Sequence, residues 1–208
     1  MLVASCQKSP SLLRVLFLAA VLAFGFCGPA AAVEFSTVVI DPGHGGRDNG
    51  ASWYGVDEKD LALDVAKRVE SILRKKGVAT AMTRRKDEYV SLDDRAAISN
   101  RFANSIFVSI HFNAHTDRSV RGIETFYSSP AGKEIAAVVQ KAVTSKITNT
   151  RNRGIKKGSY AVLLRTKSPA ILVEGGFISN LSESKKCQTE WYRQTLAEAI
   201  ARAILQLK

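Results

Sequence analysis

The chain has 208 residues, of which 46% are hydrophobic, with 30 Lys and Arg against 19 Asp and Glu for a formal net charge of +11. That length holds one well-buried core and excludes two comfortable domains. Such a basic balance favours anionic partners, but Lys75-Lys76, Arg84-Arg85-Lys86 and the basic stretch Arg151 to Lys157 lack interleaved aromatics, which argues against a nucleic-acid target.

The first element in chain order is a targeting segment. Lys8 and Arg14 precede an apolar run from Val15 to Cys27, and Gly28-Pro29-Ala30-Ala31-Ala32 follows. This is the layout of a secretory signal peptide cleaved after Ala32. Its apolar core is shorter than the roughly 20 residues of a membrane span, and bulky Phe26 before Cys27 argues against lipoprotein processing. The expectation is a 1–32 signal and a 33–208 domain, exported to periplasm or cell envelope, with no stable membrane span and acting as a monomer. Only Cys187 then remains, which excludes an intramolecular disulfide and suits a small hydrophobic role. Export leaves envelope polymers, acidic peptide stems and phospholipid head groups as the available anionic partners.

The mature chain alternates strand and helix patterns. A strand is predicted at about 36–41, ending in Asp41-Pro42-Gly43-His44-Gly45-Gly46, a Pro/Gly turn carrying a histidine. From Glu58 to Lys76, apolar Leu61, Ala62, Val65, Val69, Ile72 and Leu73 recur at helical spacing, and Gly77 ends the run. Val78 to Thr83 reads as a strand. Ser91-Leu92-Asp93-Asp94 resembles a capping box, with aspartate for glutamate, opening a helix through Ala97, Ile98 and Phe102. Ser105 to His111 is a strand with histidine at its carboxyl end. Gly122 to Tyr127 is another, followed by a helix from Lys133 to Ile147 and a basic loop from Asn149 to Gly158. Two short strands are predicted, Tyr160 to Leu164 and Ala170 to Glu174, and a final helix spans roughly Glu190 to Leu207, burying Leu196, Ile200, Ala203 and Ile204. Such alternation implies a single α/β domain with a mostly parallel sheet and helices on both faces.

Three strand ends each deliver one side chain able to bind metal or move protons: His44, His111 and Glu174. If the strands are parallel neighbours, these meet beyond the carboxyl ends, where open α/β sheets place their sites. The pattern points to a zinc hydrolase, because catalytic zinc takes three protein ligands from imidazole and carboxylate and keeps a fourth position open. The third histidine of the mature chain, His115, lies in the polar stretch Asn113 to Asp117 after the strand and should point elsewhere. Glu58 is the best third ligand from local geometry, since it opens the first helix just after the loop that follows His44. Asp57 and Asp60 are its rivals, Asp57 equally explained as an N-cap and Glu58 as a first-turn acid favoured by the helix dipole. Asp41 or Asn113 could hold a ligating imidazole through its second nitrogen. Arg95 bridges helix and sheet or meets a substrate carboxylate, and Arg153, Lys156 and Lys157 either line a groove for anionic stems or form a solvated loop.

From about Ser36 onward the chain resembles the zinc-dependent N-acetylmuramoyl-L-alanine amidases of bacterial cell walls, amidase type 3. The resemblance rests on seven segments in order: Val39 to Gly46, Glu58 to Leu61, Met82 to Arg84, Ser91 to Arg95, Ser109 to Ala114, Gly122 to Tyr127 and Leu172 to Asn180. It implies a twisted sheet of about six strands, a Zn2+ ion held by His44, Glu58 and His111, and Glu174 as the catalytic carboxylate. It also implies peptidoglycan as substrate, cut between the lactyl group of N-acetylmuramic acid and L-alanine of the stem peptide. A zinc peptidase acting within the stem and a non-catalytic wall-binding protein are the alternatives.

Phe112 stands where the family usually has alanine, and Gly175-Gly176 follows Glu174 where a larger residue is common, differences that bear on groove shape. Some members carry a long helical insertion that plugs the zinc site. Here the interval between Tyr127 and Ala170 is too short for one, so a permanently open site is expected.

Overall fold

The computed structural model describes residues 1–2 and 34–208. The expected signal peptide therefore falls almost wholly outside the described residues. Among those described, no helix is long and apolar enough to cross a membrane.

In chain order the elements are β1 (Thr37–Pro42), β2 (Ser52–Trp53), β3 (Val56–Asp57), α1 (Glu58–Lys75), β4 (Ala79–Met82), α2 (Leu92–Ser99) and β5 (Ser105–Asn113). There follow β6 (Ile123–Tyr127), α3 (Pro130–Lys146), β7 (Asn152–Lys157), α4 (Ala161–Arg165), β8 (Ala170–Phe177), α5 (Leu181–Cys187) and α6 (Glu190–Leu207). Six strands form one sheet in the order β4-β1-β5-β8-β6-β7, and β2 and β3 make a small separate hairpin. All neighbours in the large sheet run parallel except β6 and β8. The single α/β domain with a mostly parallel six-stranded sheet is as expected, and β1, β5 and β8 are indeed adjacent.

Period-two alternation along the central strands divides the core. Val38 and Ile40 of β1, Ile106, Val108 and Ile110 of β5 and Ile171 and Val173 of β8 face α1, α3 and α6, in one large cluster with Val65, Val69, Val139, Leu196 and Ile200. Val39, Phe107, Ala170 and Leu172 point the other way, into a small cluster completed by Val162 and Leu163 of α4. Every residue of β8 is buried, which accounts for the apolar run Ala170 to Val173 before Glu174, as expected of a strand covered on both faces.

The termini of the helices follow local chemistry. Ser91 caps α2, its Oγ accepting from the Asp94 N–H at 3.1 Å; the Asp94 carboxylate accepts from Ser91 Oγ at 2.6 Å rather than from the Ser91 N–H, so the cap expected from sequence forms without the reciprocal bond of a full capping box. Gly77 follows α1 at φ +74°, a left-handed conformation that only glycine adopts cheaply. Asp57 stands at the N-cap of α1 but makes no side-chain cap bond; it accepts from Ser52 Oγ instead, closing the β2–β3 hairpin.

Two expectations need correction. Tyr160 to Leu164 is not a strand, because Ala161–Arg165 forms the short helix α4, with the N–H groups of Leu163 and Leu164 donating to the Tyr160 carbonyl. A five-residue apolar run carries no periodicity that separates the two states. The sixth strand is instead Asn152–Lys157, inside the stretch expected as a basic loop. It lies at the sheet edge, where charged side chains are tolerated and discourage pairing with other chains.

Candidate metal centre and catalytic cleft

The same alternation that builds the small cluster carries on into the site. One step beyond Val39, Phe107 and Leu172, the positions on that face are Asp41, Ser109 with His111, and Glu174. His111 and Glu174 are register partners on neighbouring strands. The short helices α2 and α4 cover only part of this face, and the part left open is a cavity of about 390 Å3. Its floor includes Asp41, His111, Leu172 and Glu174, and its walls include Tyr89, Val90 and Leu92 on one side and Tyr160, Ala161 and Val162 on the other. Of the residues between β6 and β8, only those last three line it, so the interval forms a wall of the cleft.

His44 reaches the cleft from the turn after β1. The turn is held in an unusual conformation, His44 at φ +58° with Gly45 and Gly46 also positive. Such strain persists only where surroundings enforce it, and two buried arginines supply the restraint. Arg84 donates to the carbonyls of Pro42 (3.1 Å) and Gly43 (2.7 Å), and Arg95 to those of Pro42 (2.6 Å) and His44 (2.6 Å). Close packing does the rest: a Cβ on Gly43 would stand 2.3 Å from His111 Cε1, and one on Gly50 would stand 2.6 Å from both Glu58 Oε2 and His44 Cδ2.

Glu58, His44 and His111 converge, each offering one ligand atom with all three within 4.8 Å of one another. Glu58 Oε1 lies 3.2 Å from His44 Nε2 and 2.8 Å from His111 Nδ1. Those separations approach the roughly 3.3 Å edge of a tetrahedron with metal–ligand bonds of about 2.0–2.1 Å, so the donor set fits zinc. Asp48, 2.9 Å from His44 Nδ1, fixes that ring and leaves Nε2 for the site, the role expected of a carboxylate behind a metal-bound histidine. Glu58 is buried and held by the backbone N–H groups of Ala51 and Phe112. Burial raises its pKa, but hydrogen bonds from His111 and His44 outweigh that and leave it well below the usual carboxylate value.

Glu174 is the opposite case. It is 7% exposed, its Oε2 has no hydrogen-bond partner, and no arginine pairs with it among the described residues. Burial first, then the charges of Glu58 and Glu124, push its pKa well above the ordinary range. The environment pushes the pKa values of two neighbouring carboxyls apart, Glu58 down and Glu174 up, the pattern that marks acid–base assignments.

The structure redistributes several other residues. Asp41 holds no imidazole; it accepts from Thr83 (2.6 Å), Ser109 (2.7 Å) and Arg95 (2.7 Å). Asn113 holds none either, donating to Glu124 at 3.0 Å. Arg95 bridges helix and sheet. His115 lies in the loop after β5, its Nδ1 accepting from the Asp117 N–H, and stays outside the cluster. Asp60 and Asp57 also stay outside it. Sequence reasoning passed over Asp48 and Arg84. Asp48 lies four residues after His44 in a Gly-rich turn, and Arg84 stands in the basic run Arg84-Arg85-Lys86, with no role assigned to it from sequence.

Comparison with known proteins agrees with this geometry. A family model described as N-acetylmuramoyl-L-alanine amidase matches residues 38–206. N-acetylmuramoyl-L-alanine amidase LytC of Bacillus subtilis is 36% identical over 168 residues, covering 79% of this chain and 34% of LytC; this chain thus spans about a third of that relative. An N-acetylmuramoyl-L-alanine amidase from Clostridium difficile 630 superposes with a TM-score of 0.80 at 39% identity, covering 83% of this chain and 96% of that one. The catalytic domain of CwlV, an amidase of the same name from Bacillus (Paenibacillus) polymyxa var. colistinus, gives 0.80 at 34% identity, covering 84% and 100%. With a cleft built on His44, Glu58, His111 and Glu174 and a family match across nearly all of the described domain, the chain belongs to the N-acetylmuramoyl-L-alanine amidases of type 3.

Proposed function

We infer that this chain hydrolyses peptidoglycan at the amide joining the lactyl group of N-acetylmuramic acid to L-alanine of the stem peptide. In this reading His44, Glu58 and His111 hold a zinc ion and Glu174 is the catalytic carboxylate. A zinc ion held there supplies a Lewis acid that polarises a carbonyl oxygen and lowers the pKa of water to about 7. The protein's own residues do the rest. Asp48 orients the His44 imidazole, the backbone N–H groups of Ala51 and Phe112 hold Glu58, and the clamp of Arg84 and Arg95 fixes the His44 turn. Glu174 takes a proton from the attacking water and passes it to the alanine nitrogen, which leaves poorly unless protonated.

The observation that carries this reading is Glu174, a buried carboxyl with a free oxygen and a raised pKa, facing the cleft on the strand next to His111. Peptidoglycan lies outside the cytoplasmic membrane, which supports the export expected from residues 1–32 and a cell-envelope location.

Mass spectrometry of purified peptidoglycan digested by the protein tests the proposal, with chelator and Glu174→Ala controls. Free peptides beginning with L-alanine, lost under both controls, are expected, with zinc retained by the variant. Shortened peptides still attached to muramic acid would replace the amidase with a stem peptidase, and loss of zinc from Glu174→Ala would move Glu174 into the ligand set.

A further inference from the structure

Beyond Glu174, the cleft face of the sheet continues across β6 and β7 to the edge. Glu124 is the antiparallel register partner of Glu174, and it is 3% exposed. Two cations converge on its Oε2: Arg153 Nε at 2.8 Å and Lys156 Nζ at 2.5 Å. Its Oε1 accepts from Asn113 at 3.0 Å. One carboxylate against two cations leaves a surplus positive charge beside the catalytic carboxyl.

The donors are also in surplus. An ammonium carries three N–H groups and a guanidinium five. Among the described residues Lys156 spends its ammonium on Glu124 alone, and Arg153 adds to its Glu124 bond only a 3.5 Å contact with the Arg121 carbonyl. Lys156 keeps 41% of its side chain exposed. Its ammonium lies 5.9 Å from the centre of the Phe126 ring. That ring packs edge-on against Tyr160, which lines the cleft. The guanidinium of Arg153 is braced over the Phe177 ring at 4.9 Å. Tyr89, Val90 and Leu92 of the other wall carry no charge of their own, and the Arg47 guanidinium beside them is stacked over the Tyr89 ring at 4.0 Å.

We propose that Lys156 and Arg153, held in place by Glu124, form a subsite for a carboxylate on the second or third residue of the stem peptide. The proposal rests on the amidase reading and sets the direction of the substrate: peptide over β6 and β7, lactyl group and glycan toward Tyr89 and Leu92. The distances agree. The Lys156 ammonium lies on the Glu124 carboxylate, whose strand is one spacing, about 5 Å, from that of Glu174, and an extended peptide covers at most about 3.3–3.6 Å per residue. A carboxylate on the second or third stem residue therefore reaches Lys156 while the scissile nitrogen lies at Glu174.

The test is calorimetric binding of two free tripeptides, L-alanyl-γ-D-glutamyl-L-lysine with its glutamate carboxylate free and the same peptide with that carboxylate amidated. The full chain is used as wild type, Lys156→Met and Lys156→Arg, with kcat/KM on the corresponding muramoyl tripeptides as a second readout. The wild type should favour the free acid by about tenfold, as one charge-assisted contact warrants. Lys156→Met should bring that ratio to within about twofold, and Lys156→Arg should preserve it. If Lys156 only braces Glu124, Lys156→Met weakens both peptides alike and the ratio stays, which overturns the proposal; so does equal binding, or no binding, of the two peptides by the wild type. Discrimination between the free peptides without cleavage of either muramoyl substrate would leave the carboxylate site standing and defeat the amidase reading instead.

Discussion

The two faces of the sheet are built from the same strands and have opposite characters. One is covered by α1, α3 and α6, helices of 17 or 18 residues, and its contacts are almost wholly apolar. The other carries α2 and α4, of 8 and 5 residues, a small apolar cluster, and then Asp41, Ser109, His111, Glu174 and Glu124 in place of further core. The difference teaches where this fold keeps its stability and where it keeps its chemistry. Alternate residues of β1, β5 and β8 serve each purpose, so a one-residue slip in register would exchange them.

The largest expected effect belongs to the open face. Glu174→Gln keeps the shape of the side chain and removes its proton traffic, so turnover should fall by about 10³-fold or more, within the range of general acid–base catalysis. Zinc content should not change, nor should Tm fall, because a carboxyl with an unpartnered buried oxygen contributes little to stability. Product release, elemental analysis and a melting curve together check this. A large drop in Tm would show that the chemical face also carries stability and would break the comparison.

Arg95 joins the two roles. It is 3% exposed, pairs with fully buried Asp41 and also holds the carbonyls of Pro42 and His44. Removing one member of a buried ion pair costs about 3–5 kcal/mol, so Arg95→Met should destabilise by that amount in chemical denaturation and also weaken zinc binding by freeing the His44 turn. The same pair sets an acid limit. Burial pushes the Asp41 carboxyl up, but Arg95's charge and hydrogen bonds from Thr83, Ser109 and Arg95 prevail and hold its pKa below the ordinary value. A carboxyl with a lowered folded pKa contributes stability that is present above its unfolded value, about 4, and is lost as pH falls through the folded one. Stability should therefore decline below about pH 4, and Asp41→Asn, though less stable near neutrality, should show a shallower decline. An unchanged slope would assign the acid limit to other carboxyls.

On the covered face, Leu196→Ala should cost about 2–5 kcal/mol through lost burial and a residual cavity, since Leu196 is fully buried in the large cluster. The folded fraction should keep its kcat. A fall in kcat at a temperature where the variant is fully folded would mean that the helices of this face also position the site.

Most of the covered face was legible in sequence because amphipathic helices 17 or 18 residues long carry several repeats of the 3.6 period; Leu61, Val65, Val69, Leu196 and Ile200 announce themselves. The strands leading to His44, His111 and Glu174 were equally plain, since an apolar run that stops at or just before a His or Glu is unusual. The open face was harder to read. β7 is an edge strand with one inward apolar residue, Ile155, among charges, so its alternation spans a single period. Tyr160 to Leu164 is too short to show a period at all. Asp48, Arg84 and Glu124 act across 4, 41 and 50 residues of chain, on His44, on the Gly43 carbonyl and on their register with Glu174, and separation of that kind leaves no local signature.

The smallest effect expected tests whether the cleft wall is as loosely supported as its short helices suggest. Ser91 caps α2 through the Asp94 N–H, and Val90 and Leu92 on either side of it line the cleft. Ser91→Ala should cost about 1 kcal/mol, the usual loss for an N-cap, a penalty that a long helix of the covered face would confine to its first turn. In an eight-residue helix the first turn is a large part of the whole, so the wall should loosen with it. KM for a muramoyl peptide should then rise by a few-fold while kcat holds, because Glu174, Glu58 and His111 stand on elements that α2 does not carry. Steady-state kinetics of the variant separates the two outcomes: an equal fall in kcat would place α2 among the supports of the reacting groups, reached through Arg95, and would move the boundary between stability and chemistry into the open face itself.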